Sequence, residues 1–210
     1  MLNIGIVGAG VGGLTCALML KKLGHKVTIF EKQSKSISSG VGIQLSSNAI
    51  RILRLFDLEG NIARVANFPL MVDCINGHNG KKITSIPLGK IAEKKFNAGF
   101  YQLHRNDLIS ILKNKVEDFG IKINYGSPVN NLTQNSSNVK IQLLNQNYNY
   151  DFVIGADGVN SLVRKKIFPN HKPRFLKQVA FRTLIPSKNV PNIFLQDKTL
   201  LFLGNGKHAV

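Results

Sequence analysis

The sequence predicts an α/β fold in which a parallel sheet and a β-meander form one domain and further β segments begin a second. Three observations carry this expectation. The first 30 residues read as strand, glycine-rich turn, helix and strand, the βαβ unit of parallel sheets. A helix near the middle of the chain is followed by short strands between Ile121 and Ile154. After Pro169 the pattern changes to extended segments. At 210 residues the chain has room for one domain or two small ones, with a substantial core.

Asn3 to Val7 is short, branched and apolar, as a strand buried on both faces must be. Leu14 to Leu23 follows as a helix ended by Gly24, and Lys26 to Phe30 is a second strand closed by Glu31. Gln33 to Gly42 is polar and rich in Ser and Gly, so it reads as a loop. One of Ser46, Ser47 or Asn48 caps a helix that turns Ile50, Leu53 and Phe56 or Leu55 inward. Pro69 to Ile75 and Lys82 to Ile86 flank Asn76-Gly77-His78-Asn79-Gly80, a hairpin signal. Tyr101 to His104 is a short strand. Asn106 then caps a helix through Phe119, with Leu108, Leu112 and Val116 four apart, and Gly120 ends it. Three or four strands run from Ile121 to Ile154, separated by Gly126-Ser127-Pro128 and Asn135 to Asn138. Asp151 to Ile154 leads into Gly155-Ala156-Asp157-Gly158, and Asn160 or Ser161 caps a short helix. Phe175 to Ile185 and Thr199 to Leu203 are the late extended segments.

Composition narrows the function classes. Apolar residues make up 43% and charged residues 19%, which suits a folded chain rather than a disordered one. Cys16 and Cys74 each sit in an apolar run and cannot build a disulfide framework, which points to a reducing, cytoplasmic setting. Lys and Arg number 28 against 11 Asp and Glu, a net charge of +17. These cations are scattered singly or in pairs such as Lys21-Lys22 and Lys165-Lys166, so nucleic acid is not the expected partner. An anionic small ligand, peripheral contact with an anionic membrane surface, or an acidic partner segment would each answer the charge. Leu2 to Leu20 is uncharged, yet five glycines weaken any helix through it and no basic n-region precedes it. Neither an integral membrane span nor a signal peptide is expected. The histidines and cysteines form no metal-binding pattern, so no metal is expected.

Gly8-Ala9-Gly10-Val11-Gly12-Gly13 holds the spacing G-x-G-x-x-G at Gly8, Gly10 and Gly13. Gly8 permits the tight turn, Gly10 lets the backbone approach a pyrophosphate, and Gly13 allows close helix–strand packing. The helix N-terminus offers free N–H groups and its positive dipole end to the phosphates. Glu31 ends the second strand 18 residues after Gly13. A carboxylate there accepts hydrogen bonds from both ribose hydroxyls of an adenosine and repels a 2′-phosphate. The combination predicts a dinucleotide site that suits FAD and NAD alike. A second element, Val153 to Arg164, ends a buried strand in Asp157 between glycines. That is how the C-terminal edge of a parallel sheet presents a polar group to a ligand; a plain Asp-Gly turn is the equal alternative.

Together these segments resemble the FAD-dependent aromatic hydroxylases, single-component flavoprotein monooxygenases related to salicylate and hydroxybenzoate hydroxylases. The likeness runs in order through Gly8 to Gly13, Glu31-Lys32, Gly40 to Ala49 leading to Arg51, and Leu103 to Leu108. It continues through Gly155 to Arg164, Phe181 to Pro186 and Phe202 to His208. The resemblance implies a Rossmann-like FAD-binding domain over 1–70 and 98–170, and part of a substrate domain over 71–97 and 171–210. It implies that Gly8, Gly10 and Gly13, with Val11 and Gly12 of the same turn, hold the ADP half of FAD together with Glu31 and Lys32. Arg105 then reaches the ribityl–pyrophosphate side, where a forked cation suits phosphate oxygens. The backbone near Val129 borders the adenine, and Gly42 and Ile43 pass close to the flavin ring. Asp157 and Gly158 serve both FAD and NAD(P)H. His208 is offered as the base that takes a phenol's proton, against the plainer reading of an exposed histidine.

The implied activity is hydroxylation of a small aromatic, phenolic substrate with NAD(P)H and O2. Family members continue well past this length, so the resemblance also implies an incomplete chain. Thr183 and Ser47 stand where a Gly and a Pro are more usual. The alternative is a non-catalytic dinucleotide-binding fragment, either a remnant or one part of an assembly with a separately encoded C-terminal half. An NAD-dependent dehydrogenase would leave the Asp157 segment unexplained.

Overall fold

Asn3–Val7 (β1) pairs in parallel on both sides, which is why its apolar run is unbroken. The computed structural model describes residues 1–35, 41–194 and 197–210. They group into two units, Met1–Ser39 with Ile109–Ala180 and Gly40–Leu108 with Phe181–Val210. In the first unit β1 lies between Lys26–Phe30 (β2) and Phe152–Gly155 (β11), with Lys122–Asn124 (β7) beyond β2, and every pairing is parallel. Val11–Lys22 (α1) packs on β1 and β2 and buries Leu14, Ala17 and Leu18. It starts three residues earlier than its apolar spacing suggests, because Gly12 and Gly13 belong to its first turn.

Asn131–Gln134 (β8), Val139–Gln142 (β9) and Asn147–Tyr150 (β10) form an antiparallel meander. Leu132, Ile141 and Tyr150 share one core cluster with Val7 and Phe30 of the parallel sheet. The Phe30 ring lies 5.1 Å from Tyr148 and 6.0 Å from Tyr150, both tilted. Five strands therefore occupy the stretch from Ile121 to Gly155, where three or four were expected. The unread one is β10. In it Tyr148 and Tyr150 are two apart and fall on one face.

In the second unit Met71–Asn76 (β4) and Lys82–Pro87 (β5) make the expected hairpin, where Asn76 Oδ1 accepts from the His78 N–H at 2.9 Å. Lys198–Gly204 (β12) pairs in parallel with β4, and Lys207–Ala209 (β13) pairs antiparallel with β12. Segments far apart in sequence thus share one sheet. Gly42–Leu45 (β3) and Tyr101–His104 (β6) form an antiparallel ribbon. Ser47–Arg54 (α2) buries Ile50 and Leu53, and Phe56 rather than Leu55 continues the buried side. Glu59–Ala63 (α3) and Gly89–Phe96 (α4) have no counterpart in the sequence reading, since each buries a single side chain and carries no apolar stripe.

Arg105–Asp118 (α5) corrects a second expectation, because Asn106 lies inside the helix instead of capping it. The Arg105 N–H donates to the Val41 carbonyl at 2.9 Å, so strand pairing continues to the helix start. His104 Nδ1 then accepts from the Asn106 N–H at 3.3 Å, doing the work of a cap. Leu162–Ile167 (α6) is capped by Ser161, whose Oγ accepts from the Arg164 N–H at 2.9 Å. Phe175 to Ile185, expected to be extended, joins no strand and is interrupted by Lys177, which turns with φ +60°. Residues 36–40 of the expected Gln33 to Gly42 loop lie outside the described residues. Among the described residues no helix is long and apolar enough to cross a membrane, and no cluster of His, Cys, Asp and Glu could hold a metal.

A polar knot in the second unit gives the fold a pH dependence. The Arg54 guanidinium grips Glu59 through Nε and Nη2, and the Tyr101 hydroxyl donates to the same carboxylate at 2.8 Å. Arg54 holds the Glu59 carboxyl below its ordinary value, while burial and Glu59 push the Tyr101 hydroxyl up. A depressed carboxyl contributes stability above its unfolded value and loses it as pH falls through the folded one. Acid unfolding should therefore include a step below the usual glutamate range that disappears in Glu59→Gln. Glu59→Ala, which leaves the Tyr101 hydroxyl unpaired, should cost about 1–3 kcal/mol. An acid limb identical in parent and Glu59→Gln would contradict this assignment.

Candidate dinucleotide site

The carboxyl ends of β1, β2 and β11 converge at Gly8. Its N–H donates to the Phe30 carbonyl at 2.8 Å, and the Ala156 N–H donates to the Val7 carbonyl at 2.7 Å. Gly8 turns there with φ +106°, and a Cβ on it would lie 2.3 Å from the Ala156 carbonyl oxygen. A Cβ on Gly13 would lie 2.0 Å from the Gly8 carbonyl oxygen. Hydrogen alone fits at both places, so the turn, the helix start and the Asp157 segment are held in backbone contact. On the other side, a Cβ on Gly12 would meet nothing within 4 Å. Gly10 is the N-cap of α1, where no side chain caps the helix and no acid stands in the first turn, which begins at half-buried Val11. The first N–H groups and the positive end of the helix are left for an anion.

Glu31 lies directly against this turn. Its Oε2 accepts from the Ala9 N–H at 2.7 Å and its Oε1 from the Gln33 N–H at 2.9 Å. The backbone on either side is also fixed: the Glu31 N–H donates to the Asn124 carbonyl and the Ser127 N–H donates to the Glu31 carbonyl. Each carboxylate oxygen keeps a further lone pair for a ligand hydroxyl. Lys32 is exposed beside it, and half-buried Val129 packs against the meander core. Nothing in the sequence marked the Ala9 and Gln33 amides, nor the buried, unpartnered Asn124 Nδ2 and Tyr125 Oη. Burial is the main cause that raises the Tyr125 hydroxyl, with Glu117 and Glu31 adding to it.

The Asp157 carboxylate turns inward. Oδ1 accepts from the Ser161 hydroxyl at 2.5 Å, and Oδ2 from the Leu162 N–H at 2.6 Å and the Val163 N–H at 3.3 Å. Asp157 therefore ties down the start of α6, with Gly158 turning the chain at φ +79°. Asp157→Ala should fray α6 and cost about 1–2 kcal/mol, the usual loss for a removed cap. A thermal midpoint equal to the parent's would contradict this role.

Gly42, Ile43, Arg105 and His208 belong to the second unit. Gly42 opens β3 opposite His104, and Ile43 stands opposite Leu103. Half-buried Arg105 follows β6 directly. His208 is exposed on β13 opposite Leu203, which pairs in turn with Asn76. Four residues before Leu203 on the same face, Thr199 Oγ1 accepts from Gln102 Nε2 at 2.7 Å. The His208 face of the sheet is thus tied to the ribbon that carries Gly42 and Ile43. Gln102 gave no signal in the sequence. Gly40 of the Gly40 to Ala49 segment lies outside the described residues.

Residues 1–191 match the family described as FAD binding domain. The 3-amino-4-hydroxybenzoate 2-monooxygenase of Streptomyces cremeus is 30% identical over 209 residues, covering 99% of this chain and 52% of the relative. The 3-hydroxybenzoate 6-hydroxylase 1 of Aquipseudomonas alcaligenes is 29% identical, covering 99% and 53%. The crystal structure of FqzB superposes with a TM-score of 0.68 at 26% identity, over 79% of this chain and 38% of that one. The chain spans about half the length of the curated relatives it matches. The extent of that match, over a chain whose glycine turn and Glu31 meet at one sheet edge, shows that it belongs to the FAD binding domain family.

Proposed function

We propose that this chain holds FAD and forms the cofactor-binding part of a monooxygenase that hydroxylates a small aromatic substrate with NAD(P)H and O2. The observation that carries this reading is the hydrogen bond from the Ala9 amide to Glu31, which joins a ribose acceptor and a phosphate-binding turn in one place. The residues present fit the group: a turn held tight because Gly8 and Gly13 have no room for a Cβ, open space beside Gly12, an uncapped helix start, and a carboxylate with lone pairs to spare. When bound, FAD supplies hydride acceptance and oxygen activation.

The chain's own work is binding, orientation and proton handling. The amides of Gly10, Val11, Gly12 and Gly13 receive the pyrophosphate, Glu31 orients the ribose, and Lys32 adds positive charge at the rim. The backbone near Val129 borders the adenine, and Arg105 reaches the pyrophosphate from the ribityl side. Gly42 and Ile43 leave room for the ring system. Asp157 and Gly158 shape the sheet edge through the α6 cap rather than through a free carboxylate. His208 takes the phenolic proton. Residues 71–97 and 171–210 belong to the substrate domain; support comes from the single sheet formed by β4, β5, β12 and β13. The setting is cytoplasmic.

Turnover also needs polypeptide equivalent to the other half of the relatives, in the same chain or a separate one, to exclude water from the site. Gly10→Val should abolish flavin retention, because a branched side chain at the helix cap occupies the space of the phosphates. Full flavin in that variant would overturn the reading. In the complete enzyme, His208→Ala should lower hydroxylated product per NAD(P)H oxidised; an unchanged ratio would remove the role of His208.

A further inference from the structure

We infer that Asn205 is a site of spontaneous covalent modification, where the Gly206 amide nitrogen attacks the Asn205 side chain and leaves an aspartyl or isoaspartyl residue. The site lies in the turn between β12 and β13, within the second unit, and stands apart from the cofactor reading. The chain has three Asn-Gly pairs, Asn76-Gly77, Asn79-Gly80 and Asn205-Gly206. A glycine after asparagine leaves the attacking nitrogen without a side chain to hinder it. Asn79 and Asn205 are followed by the same two residues, Gly and Lys. Both turns are exposed, and Gly80 and Gly206 are left-handed alike, with φ +68° and +66°. A Cβ on either glycine would meet nothing within 4 Å. Local sequence, exposure and glycine conformation therefore leave Asn79 and Asn205 equivalent.

Hydrogen bonds distinguish them. Asn79 Oδ1 accepts from the Lys81 N–H at 3.0 Å, and the Gly80 N–H donates to the Asn76 carbonyl at 2.9 Å. Asn76 Oδ1 accepts from the His78 and Asn79 N–H groups at 2.9 and 3.3 Å, and the Gly77 N–H donates to the Leu203 carbonyl at 2.8 Å. At both pairs the side chain is pinned and the attacking nitrogen is engaged. Among the described residues nothing holds the Asn205 side chain, and nothing accepts from the Gly206 N–H. The Gly206 nitrogen gives up its proton and bonds to Asn205 Cγ, the bond from Cγ to its own amide nitrogen breaks, and ammonia leaves. Water then opens the cyclic imide at either carbonyl. One water is taken up, one ammonia is released, and nothing is oxidised or reduced. Opening at one carbonyl gives Asp and a new negative charge. Opening at the other gives isoAsp, which puts an extra methylene into the main chain. Among the described strands β13 pairs with β12 alone, so that methylene shifts the register that sets His208 opposite Leu203.

The test incubates the purified chain in warm, mildly alkaline buffer and follows its peptides by mass spectrometry for the gain of OH in place of NH2. Asn205 should convert about tenfold or more faster than Asn79, because Asn79 must first break two hydrogen bonds and one alone accounts for up to about tenfold. The same chain unfolded in urea should convert the two at matching rates, since each is followed by Gly and Lys. In the folded chain, amide hydrogen exchange over 202–209 should speed up severalfold as isoAsp accumulates. It should stay constant in Asn205→Gln, whose longer side chain closes the imide ring poorly. Equal rates at Asn79 and Asn205 in the folded chain, a bias that persists in urea, or exchange in Asn205→Gln that rises with the parent's would each overturn the inference.

Discussion

Gly13→Ala should yield a protein that retains no flavin and is less stable by about 3 kcal/mol, the upper range for overpacking. The added Cβ would lie 2.0 Å from the Gly8 carbonyl oxygen. Both partners are backbone, so no side-chain rotation relieves the clash. The helix start must move away from the turn, and the amides that face the phosphates move with it. Thermal melting and the visible spectrum of the purified variant check the two effects together. Parent-like melting with parent-like flavin content would show that the turn is looser than its geometry implies.

Glu31→Gln should weaken FAD binding about 100-fold. Hydrogen bonds to a charged group contribute about 1.5–3 kcal/mol each, and 1.4 kcal/mol is tenfold in affinity. The substitution removes the charge, and one carboxylate oxygen becomes an amide that donates. Both oxygens now accept from backbone N–H groups, Ala9 and Gln33, so the new amide faces a donor whichever way it turns. The variant thus loses ribose contacts and loosens the glycine turn at once. Titration with FAD reads the first effect, and riboflavin, which lacks the ribose of adenosine, serves as the control. An unchanged FAD dissociation constant would separate Glu31 from the ligand.

The βαβ unit was legible because three signals coincide within Asn3 to Glu31: an apolar strand, glycines at fixed spacing and a carboxylate at the next strand end. Each has a steric or electrostatic reason to be where it is. The extended character of β12 and the hairpin at Asn76 to Gly80 were legible for the same reason, since turn chemistry is local. What escaped was set by partners distant in sequence. Strand β10 exists because Tyr148 and Tyr150 pack on Phe30, more than 100 residues away. Helix α4 buries only Ala92, so no periodicity announces it. Asn106 looked like a cap, but the helix already starts at Arg105, whose N–H is tied to the Val41 carbonyl.

The site shows the same division. Gly8, Gly13 and Glu31 stand where their spacing placed them, and the structure adds the Ala9 amide that joins the turn to the carboxylate. Asp157 was legible as a carboxylate at a sheet edge, yet not its direction. Its oxygens are taken by Ser161, Leu162 and Val163, five residues or so downstream, and that preference is decided by how the chain turns at Gly158. Gln102 and Thr199 are joined across the second unit by a contact that no local pattern encodes.

We propose that this chain holds FAD in the turn formed by Gly8 to Gly13 and Glu31. The visible absorption spectrum of the purified 210-residue protein, taken before and after incubation with FAD and gel filtration, tests it most directly. A protein-bound flavin spectrum should survive the column and be absent from Gly13→Ala. A parent protein that elutes colourless after saturation with FAD would contradict it.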